Sequence, residues 1–438
     1  MDKNDGEARG HSMWDILKVY VPITLLVIAG FVVAWQFVDP APPKTITIAT
    51  GSPDGAYSAS ARAYQKVLAE AGLTVKIRHT AGSVENLQLL NDSKSGVDVA
   101  FVQGGVGDPF SAPELMSLAS VFLEPLWVFV RAEAAPERLN GLRGKRLAIG
   151  PAGSGTRVLA RTLLVANGID TENSTFLPIS GNDAARALEA GEADAAFFVN
   201  ARVSETMNRL LRNPQIRVLN FVRAEAYKST FSYLTRVGVP EGALALDANI
   251  PAKPMSLIAP TATLVAREDL HPAIVDLILG ATAKVHQAGN LFSPVGMFPS
   301  PNYVDFPLSD DARRYFKSGP TFLRRVLPFW AAVMVERLLI MLVPLITIMI
   351  PLMKIAPPAY RWGVRRKIFR WYKELRELEA ELYAEDTPAK RAELARRLDD
   401  IQRQVGHVHV PLSYAESLYH LRLHIGFVRQ LVGSGASF

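Results

Sequence analysis

The sequence predicts a two-lobed α/β domain carried between two apolar segments and followed by a helical tail. Three observations predict it: a strand–glycine turn–helix–strand order that occurs twice, long uncharged runs on both sides of that repeat, and a basic, helix-forming C-terminal stretch.

The first copy of the repeat begins after the stiff linker Pro40–Pro43. Thr45–Thr50 is rich in β-branched residues and reads as a strand. Gly51-Ser52-Pro53-Asp54-Gly55 is a turn, and Tyr57–Ala71 a helix stopped by Gly72. Thr74–His79 is the next strand, Thr80–Ser83 a turn, Val84–Asn91 a helix and Val97–Val102 a third strand. The second copy runs Arg146–Ile149, the turn Pro151–Gly155, helix Arg157–Asn167 stopped by Gly168, strand Thr175–Ile179, helix Asp183–Ala190 and strand Ala193–Val199. The phrases Gly96–Val102 and Glu192–Phe198 line up well. Strands alternating with helices argue for parallel sheets, and two copies argue for two lobes. Leu126–Arg131 reads as a strand crossing between them, and Val218–Val239 as the return. The expected domain therefore spans 44–320, with lobe 1 at about 44–130 and 230–310 and lobe 2 at about 131–229.

Val19–Val38 is uncharged and long enough to cross a bilayer core as a helix. Trp14, Tyr20 and Trp35 flank it, as rings at the interface do. Its exit, Gln36–Pro40, lacks a small-x-small cleavage site, which favours an uncleaved anchor over a signal peptide. The second segment is 327–353. Glu336 and Arg337 place its first part at the interface, and Leu338–Met353 is fully apolar, with kinks expected at Pro344 and Pro351. A full span and a re-entrant hairpin both fit.

The net charge of +6 is concentrated after that segment, in Lys354, Arg361, Arg365, Arg366, Lys367, Arg370 and Lys373. A basic run beside an apolar one points to a membrane surface before nucleic acid, for which no binding module is present. The positive-inside bias makes 354–438 a cytoplasmic tail and 1–18 a cytoplasmic N-terminus, although Arg313, Arg314, Lys317, Arg324 and Arg325 dilute the contrast. The expected location is the inner membrane, with the lobes in the periplasm. In the tail, Arg365–Tyr383 is helical, Thr387-Pro388 opens a second helix to about Val405, and Ser413–Glu416 forms a capping box for a third. This reads as a small helical bundle or coiled hairpin.

The chain has no cysteine, which excludes disulfides, thiolate catalysis and cysteine metal sites. Three glycine-and-hydroxyl turns stand at helix starts: Ser52–Tyr57, Thr80–Asn86 and Gly153–Thr156. Free N–H groups and a partial positive charge there suit a carboxylate, and glycine allows close approach. The candidate ligand-binding set is Gly51, Ser52, Gly55, Tyr57, Thr80, Ser83, Asn86, Gln103, Gly153, Ser154, Gly155 and Thr156. For Ser83 and Ser154 a plain helix-capping role is as well supported individually. Glu124, beside Pro125, reads either as a ligand contact or as one half of a hinge ion pair. His79 reads as structural. The pairs His407/His409 and His420/His424 lack the carboxylates of a metal cluster, and no metal is expected. Gly150–Arg157 has Thr156 where a P-loop needs lysine, and Ser154 lacks the flanking glycines of a nucleophile elbow. No catalytic pair or cofactor loop stands out, so the chain reads as a binder and not an enzyme, with no cofactor.

The run Ile46–Tyr57, followed by His79-Thr80-Ala81-Gly82-Ser83-Val84-Glu85-Asn86-Leu87, resembles the TAXI family of solute-binding proteins, which serve tripartite ATP-independent periplasmic (TRAP) transporters. Gly144–Thr156 is similar to the start of that family's second lobe, and 319–370 to its membrane-bound subgroup. The resemblance implies a type II periplasmic-binding fold, a small carboxylate ligand such as glutamate, and TRAP-type permease partners. It places the family's binding positions on the first glycine turn, Tyr57, Ser83, Asn86, Gln103 and the Gly153–Thr156 turn. Typical members lack the two apolar segments and the tail, so a transmembrane sensor reporting through the tail is the alternative role.

Overall fold

The structure is a computed structural model. It describes residues 40–434 apart from 385–386, 409 and 411–413, together with 21, 24–25, 27–33 and 35–36. The expectations resting on residues 1–18, Tyr20, His409 and Ser413 fall outside the described residues. The chain divides into two units, Pro40–Val335 and a second containing Glu336–Phe438.

In the first unit, β1 (Thr45–Ala49) alternates so that Ile46 and Ile48 are fully buried. α1 (Ala56–Glu70) ends where Gly72 adopts φ +78°, and the amides of Ala71, Gly72 and Leu73 close back onto Leu68 and Ala69 carbonyls. β2 (Thr74–Arg78), α2 (Ser83–Asn91) and β3 (Val99–Gln103) complete the first copy of the repeat. β4 (Leu115–Leu123) follows, an almost wholly buried strand that shows no alternation in sequence because both its faces are covered. β5 (Leu126–Arg131) then crosses.

The second copy consists of β6 (Arg146–Ala148), α3 (Gly155–Ala166), β7 (Thr175–Leu177), α4 (Gly181–Glu189) and β8 (Ala195–Val199). α5 (Glu205–Arg212), β9 (Ile216–Val218), α6 (Ala224–Thr230) and the antiparallel pair β10 (Thr235–Val239) and β11 (Met255–Ala259) extend it. β12 (Thr261–Arg267) returns to the first sheet and leads to α7 (Pro272–His286), α8 (Asp310–Ser318) and α9 (Phe322–Val326).

The two five-stranded sheets have orders β2-β1-β3-β12-β4 and β7-β6-β8-β5-β9. They are the same order written twice, which is what the duplicated sequence implies. Neither is all-parallel. β12 is antiparallel to β3 and β4, and β5 is antiparallel to β8 and β9, because each arrives from the other lobe. The return also lies later than Val218–Val239: Val237, Val239, Leu257 and Ile258 bury in the second lobe's core, and the chain crosses back at Pro260. The second lobe thus takes in β5 and the β10–β11 pair, beyond the 131–229 expected. The two crossings are joined by Glu124 N–H donating to the Pro260 carbonyl at 2.9 Å. Phe292 and Phe298, from the segment after α7, also reach the second core, where Phe292 meets Trp127 edge-on.

α10 (Phe329–Ala384) begins in the first unit and is a single helix through Pro344 and Pro351. In the second unit, the end of α10 packs with α11 (Pro388–Gly406) and α12 (Ala415–Ser434) around Trp371, Leu375, Leu378, Leu398, Ile401, Leu421 and Ile425. The tail's pattern leaves a small bundle and a coiled hairpin open, and these helices share one apolar cluster, with Thr387 capping α11 through its hydroxyl. The apolar runs 19–38 and 327–353 are helical where described, up to Trp35 in the first and from residue 329 on in the second, with many exposed side chains. No helix of the described residues is long and apolar enough to cross a membrane.

Candidate functional site

β1, β3 and β6 end at the same edge of their sheets, and the three glycine turns follow or face those ends. The first turn is closed by Gly55 N–H on the Ser52 carbonyl at 3.0 Å, which also accepts from Ser58 Oγ at 2.7 Å. Gly51 lies beneath the Tyr57 ring, where a Cβ would sit 3.8 Å from it, and the Ser52 side chain is exposed.

The turn before α2 is built around Asn86. Its amide donates to the carbonyls of Thr50 at 2.5 Å and Phe101 at 2.8 Å, and its oxygen accepts from Thr80 Oγ1 at 2.7 Å. Asn86 and Thr80 are therefore struts that hold β1, β3 and α2 in register. Ser83 does not cap α2. Gly82 stands at that position, and Ser83 Oγ accepts the Gln103 amide at 2.9 Å. Ser154, by contrast, is a helix cap: its hydroxyl accepts from Arg157 N–H at 3.2 Å and donates to the Pro151 carbonyl at 2.9 Å. Thr156 is half-buried in the first turn of α3.

The turns of the two lobes touch. Val84 N–H donates to the Gly153 carbonyl at 3.1 Å, and Gln103 Nε2 to the Gly155 carbonyl at 3.1 Å. A Cβ on Gly82, whose φ is +134°, would lie 3.2 Å from Ser154 Cα, and one on Gly155 would lie 2.8 Å from Gln103 Oε1. Only glycine permits this approach. The lobes are closed on one another at Gly82 and Gly153–Gly155.

Beside this contact lies a pair that the sequence pattern only half discloses. Tyr57, stacked on Phe101 at 5.0 Å, donates its hydroxyl to Glu124 Oε2 at 2.7 Å. Glu124 is 4% exposed. Burial pushes its carboxyl up to about 8, against a smaller opposing effect of the Tyr57 hydrogen bond. The Tyr57 phenol is pushed up by burial and by the neighbouring acid, while the Ser83 hydroxyl, which also reaches it, acts the other way. Burial thus favours the neutral acid, and Glu124 is bonded to a phenol in place of the cation of a hinge ion pair. Its place beside Pro125 in sequence signals the hinge, but nothing local signals Tyr57, which is far away along the chain.

The remaining candidates lie elsewhere. His79 Nδ1 is 3.1 Å from Ser58 Oγ and 3.4 Å from Thr50 Oγ1, a local structural set. His424 Nε2 meets Glu379 at 3.0 Å within the tail bundle. Among the described residues no group of three or more acids and histidines could hold a metal. A recess of about 200 Å³ lined by Arg131, Glu133, Leu142, Lys145 and Asp194 sits at the opposite ends of the second lobe's strands from its glycine turn.

Solved structures similar to this chain include a protein of Bordetella bronchiseptica RB50, at 16% identity and TM-score 0.43, covering 64% of this chain and 99% of that one. The periplasmic aliphatic sulphonate binding protein SsuA of Escherichia coli is similar at 14% identity and TM-score 0.36, covering 56% and 73%. A periplasmic binding protein of Salmonella typhimurium described by its high arginine specificity is similar at 14% and 0.35, covering 56% and 94%. Residues 48–317, more than half of the chain, match the family described as NMT1-like, and the chain belongs to that family.

Proposed function

We propose that this protein is a membrane-held extracytoplasmic solute receptor of the TAXI type, which captures a small carboxylate by lobe closure and delivers it to a TRAP-type permease. The observation that carries the reading is the meeting of two glycine turns, one from each lobe, at helix N-termini, with Gln103 and Ser83 between them and the Tyr57–Glu124 pair alongside. Backbone amides at such turns are donors suited to a carboxylate. A ligand that bridges both turns binds the closed state better than the open one and so shifts the population toward it. The apolar helical runs, whose described side chains are mostly exposed, support membrane attachment, and the basic residues after Met353 support a cytoplasmic tail, with the lobes in the periplasm.

The test is a thermal-shift screen of the full chain with glutamate, dicarboxylates and 2-oxoacids. A ligand at a hundred times its dissociation constant adds about 2.7 kcal/mol. The expected result is a hit that Ser83→Ala weakens. A broad panel without a hit, and no small molecule released on denaturing the purified protein, would overturn the carboxylate reading.

A second reading, a sensor that reports through the tail, is favoured by one observation: α10 is one continuous helix from the lobe-bearing unit into the tail bundle. Deleting 385–438 with uptake retained supports delivery. Ligand-dependent exchange protection in α11 and α12 supports sensing.

A further inference from the structure

We infer that α9 is a lipid-facing foot: Phe322 and Val326 enter the interfacial layer of a bilayer and seat the first lobe on it. The inference rests on the membrane attachment in the function proposed above and goes beyond it by assigning the contact surface.

α9 reads Phe-Leu-Arg-Arg-Val, and it buries an arginine while exposing two apolar side chains, unlike an ordinary surface helix. Phe322 and Val326, four residues apart and so on one face, are 76% and 66% exposed. Of the two arginines between them, Arg324 is taken up by protein and Arg325 is exposed. Arg324 is 10% exposed and pairs with Asp276 of α7, itself 3% exposed and also held by Arg314 at 3.2 Å. Arg325 folds back, donating to the carbonyls of Pro320 at 2.9 Å and Ser318 at 2.6 Å. The buried Arg324–Asp276 pair therefore anchors α9 from the inside and leaves Phe322 and Val326 outward.

The occupant is indicated by what the chain does next. Trp330, in the first turn of α10, covers Gly72 so closely that a Cβ there would lie 2.8 Å from its Nε1. This fixes the start of α10 to the first lobe. From there Met334 and Leu338, one turn apart, are exposed, and onward Leu339, Ile340, Val343, Ile346 and Ile350 are exposed on successive faces. From Leu338 to Met353 the run is uncharged on every face and its described side chains are mostly exposed, and such a helix has hydrocarbon as its natural surroundings. Lys354 and the basic residues after it close the run as headgroup-facing residues do. In sequence Phe322 and Val326 lie just upstream of this run, and within their own unit Met334 is exposed as well, so the same bilayer is the partner their position in the chain fits, with Phe at interfacial depth.

The chain has no cysteine, which makes the test clean. Single cysteines are placed in the full chain by Phe322→Cys and Val326→Cys. Phe110→Cys and Leu246→Cys, at sites 95% and 89% exposed, serve as aqueous controls. Each is labelled with a polarity-sensitive fluorophore and reconstituted into phosphatidylcholine–phosphatidylglycerol vesicles. The expected result is a blue-shifted emission at 322 and 326, quenched by nitroxide lipids and shielded from aqueous iodide, with the opposite pattern at 110 and 246. Vesicle flotation of the chain with 322 and 326 behaving like 110 overturns the foot while leaving attachment standing. Failure to float overturns attachment and the foot together. Shielding from iodide without nitroxide quenching means a protein partner or a second copy covers the face, and also overturns it.

Discussion

At the scale of single residues, Glu124 joins the hinge to the site. Its amide bridges the two crossings through Pro260, and its carboxyl receives the Tyr57 hydroxyl beside the first glycine turn. Its carboxyl titrates near 8 in the fold and near 4.5 when unfolded. The folded state therefore holds a proton that the unfolded chain has lost, and stability falls as pH rises from about 4.5 to 8 and then levels off, by at most about 1.4 kcal/mol per pH unit. Glu124→Gln keeps the neutral shape and the acceptor oxygen. It is expected to flatten that decline, as read from denaturant midpoints between pH 6 and 9; an unchanged slope in the variant would show that another group carries it. Asn86 is a different kind of residue. Asn86→Ala removes a buried donor from the Thr50 and Phe101 carbonyls and an acceptor from the Thr80 hydroxyl, and is expected to cost about 1–3 kcal/mol of stability by denaturation. A fully stable variant would return Asn86 to a ligand-facing role.

At the scale of elements, the interlocking turns set how far the lobes can close. Gly155→Ala places a methyl against the Gln103 side chain, within 3.1 Å of its Cβ as well as its amide, while Gly155 is in an ordinary helical conformation that alanine tolerates. The expected outcome is a normally folded protein with about tenfold weaker ligand binding, or ~1.4 kcal/mol, measured by calorimetry; equal affinity would show that ligand closure does not use this contact. The turns themselves were legible in sequence because glycine, hydroxyl and helix start occur together in one short window. So were the duplicated strands, whose β-branched runs and glycine stops are local signals. What was not legible needed distant partners. β4 and β12 are buried on both faces and carry no period-two pattern, the antiparallel crossing strands depend on which lobe they enter from, and the β10–β11 pair joins the second core only through tertiary packing. Likewise Ser83 and Ser154 look alike in sequence, yet one ties down β3 and the other caps α3.

At the scale of the lobe-bearing unit, Pro40–Val335, the two lobes are not equivalent. The first is tied to the chain that leaves it, by Asp276 with Arg314 and Arg324 and by Trp330 over Gly72. The second is joined to it through the crossings at Glu124–Pro125 and Pro260 and the Phe292–Phe298 segment. Burial raises the Asp276 carboxyl even between two guanidiniums, so removing one cation leaves an expensive group poorly matched. Arg324→Ala is expected to cost about 3 kcal/mol, the lower end for breaking a buried pair, since Arg314 remains. Closure should then turn the second lobe against a first lobe held still. Spin labels at Phe322 and Gln88, both exposed and on the tied side, should keep one distance with and without the carboxylate that gives the largest thermal shift. Labels at Phe322 and Val222, which follows β9 in the second lobe, should shorten and narrow in distribution on adding it. If the Phe322–Gln88 distance changes as much as the Phe322–Val222 one, the tie does not hold the first lobe, and the arginine clasp is a stability feature without a part in closure.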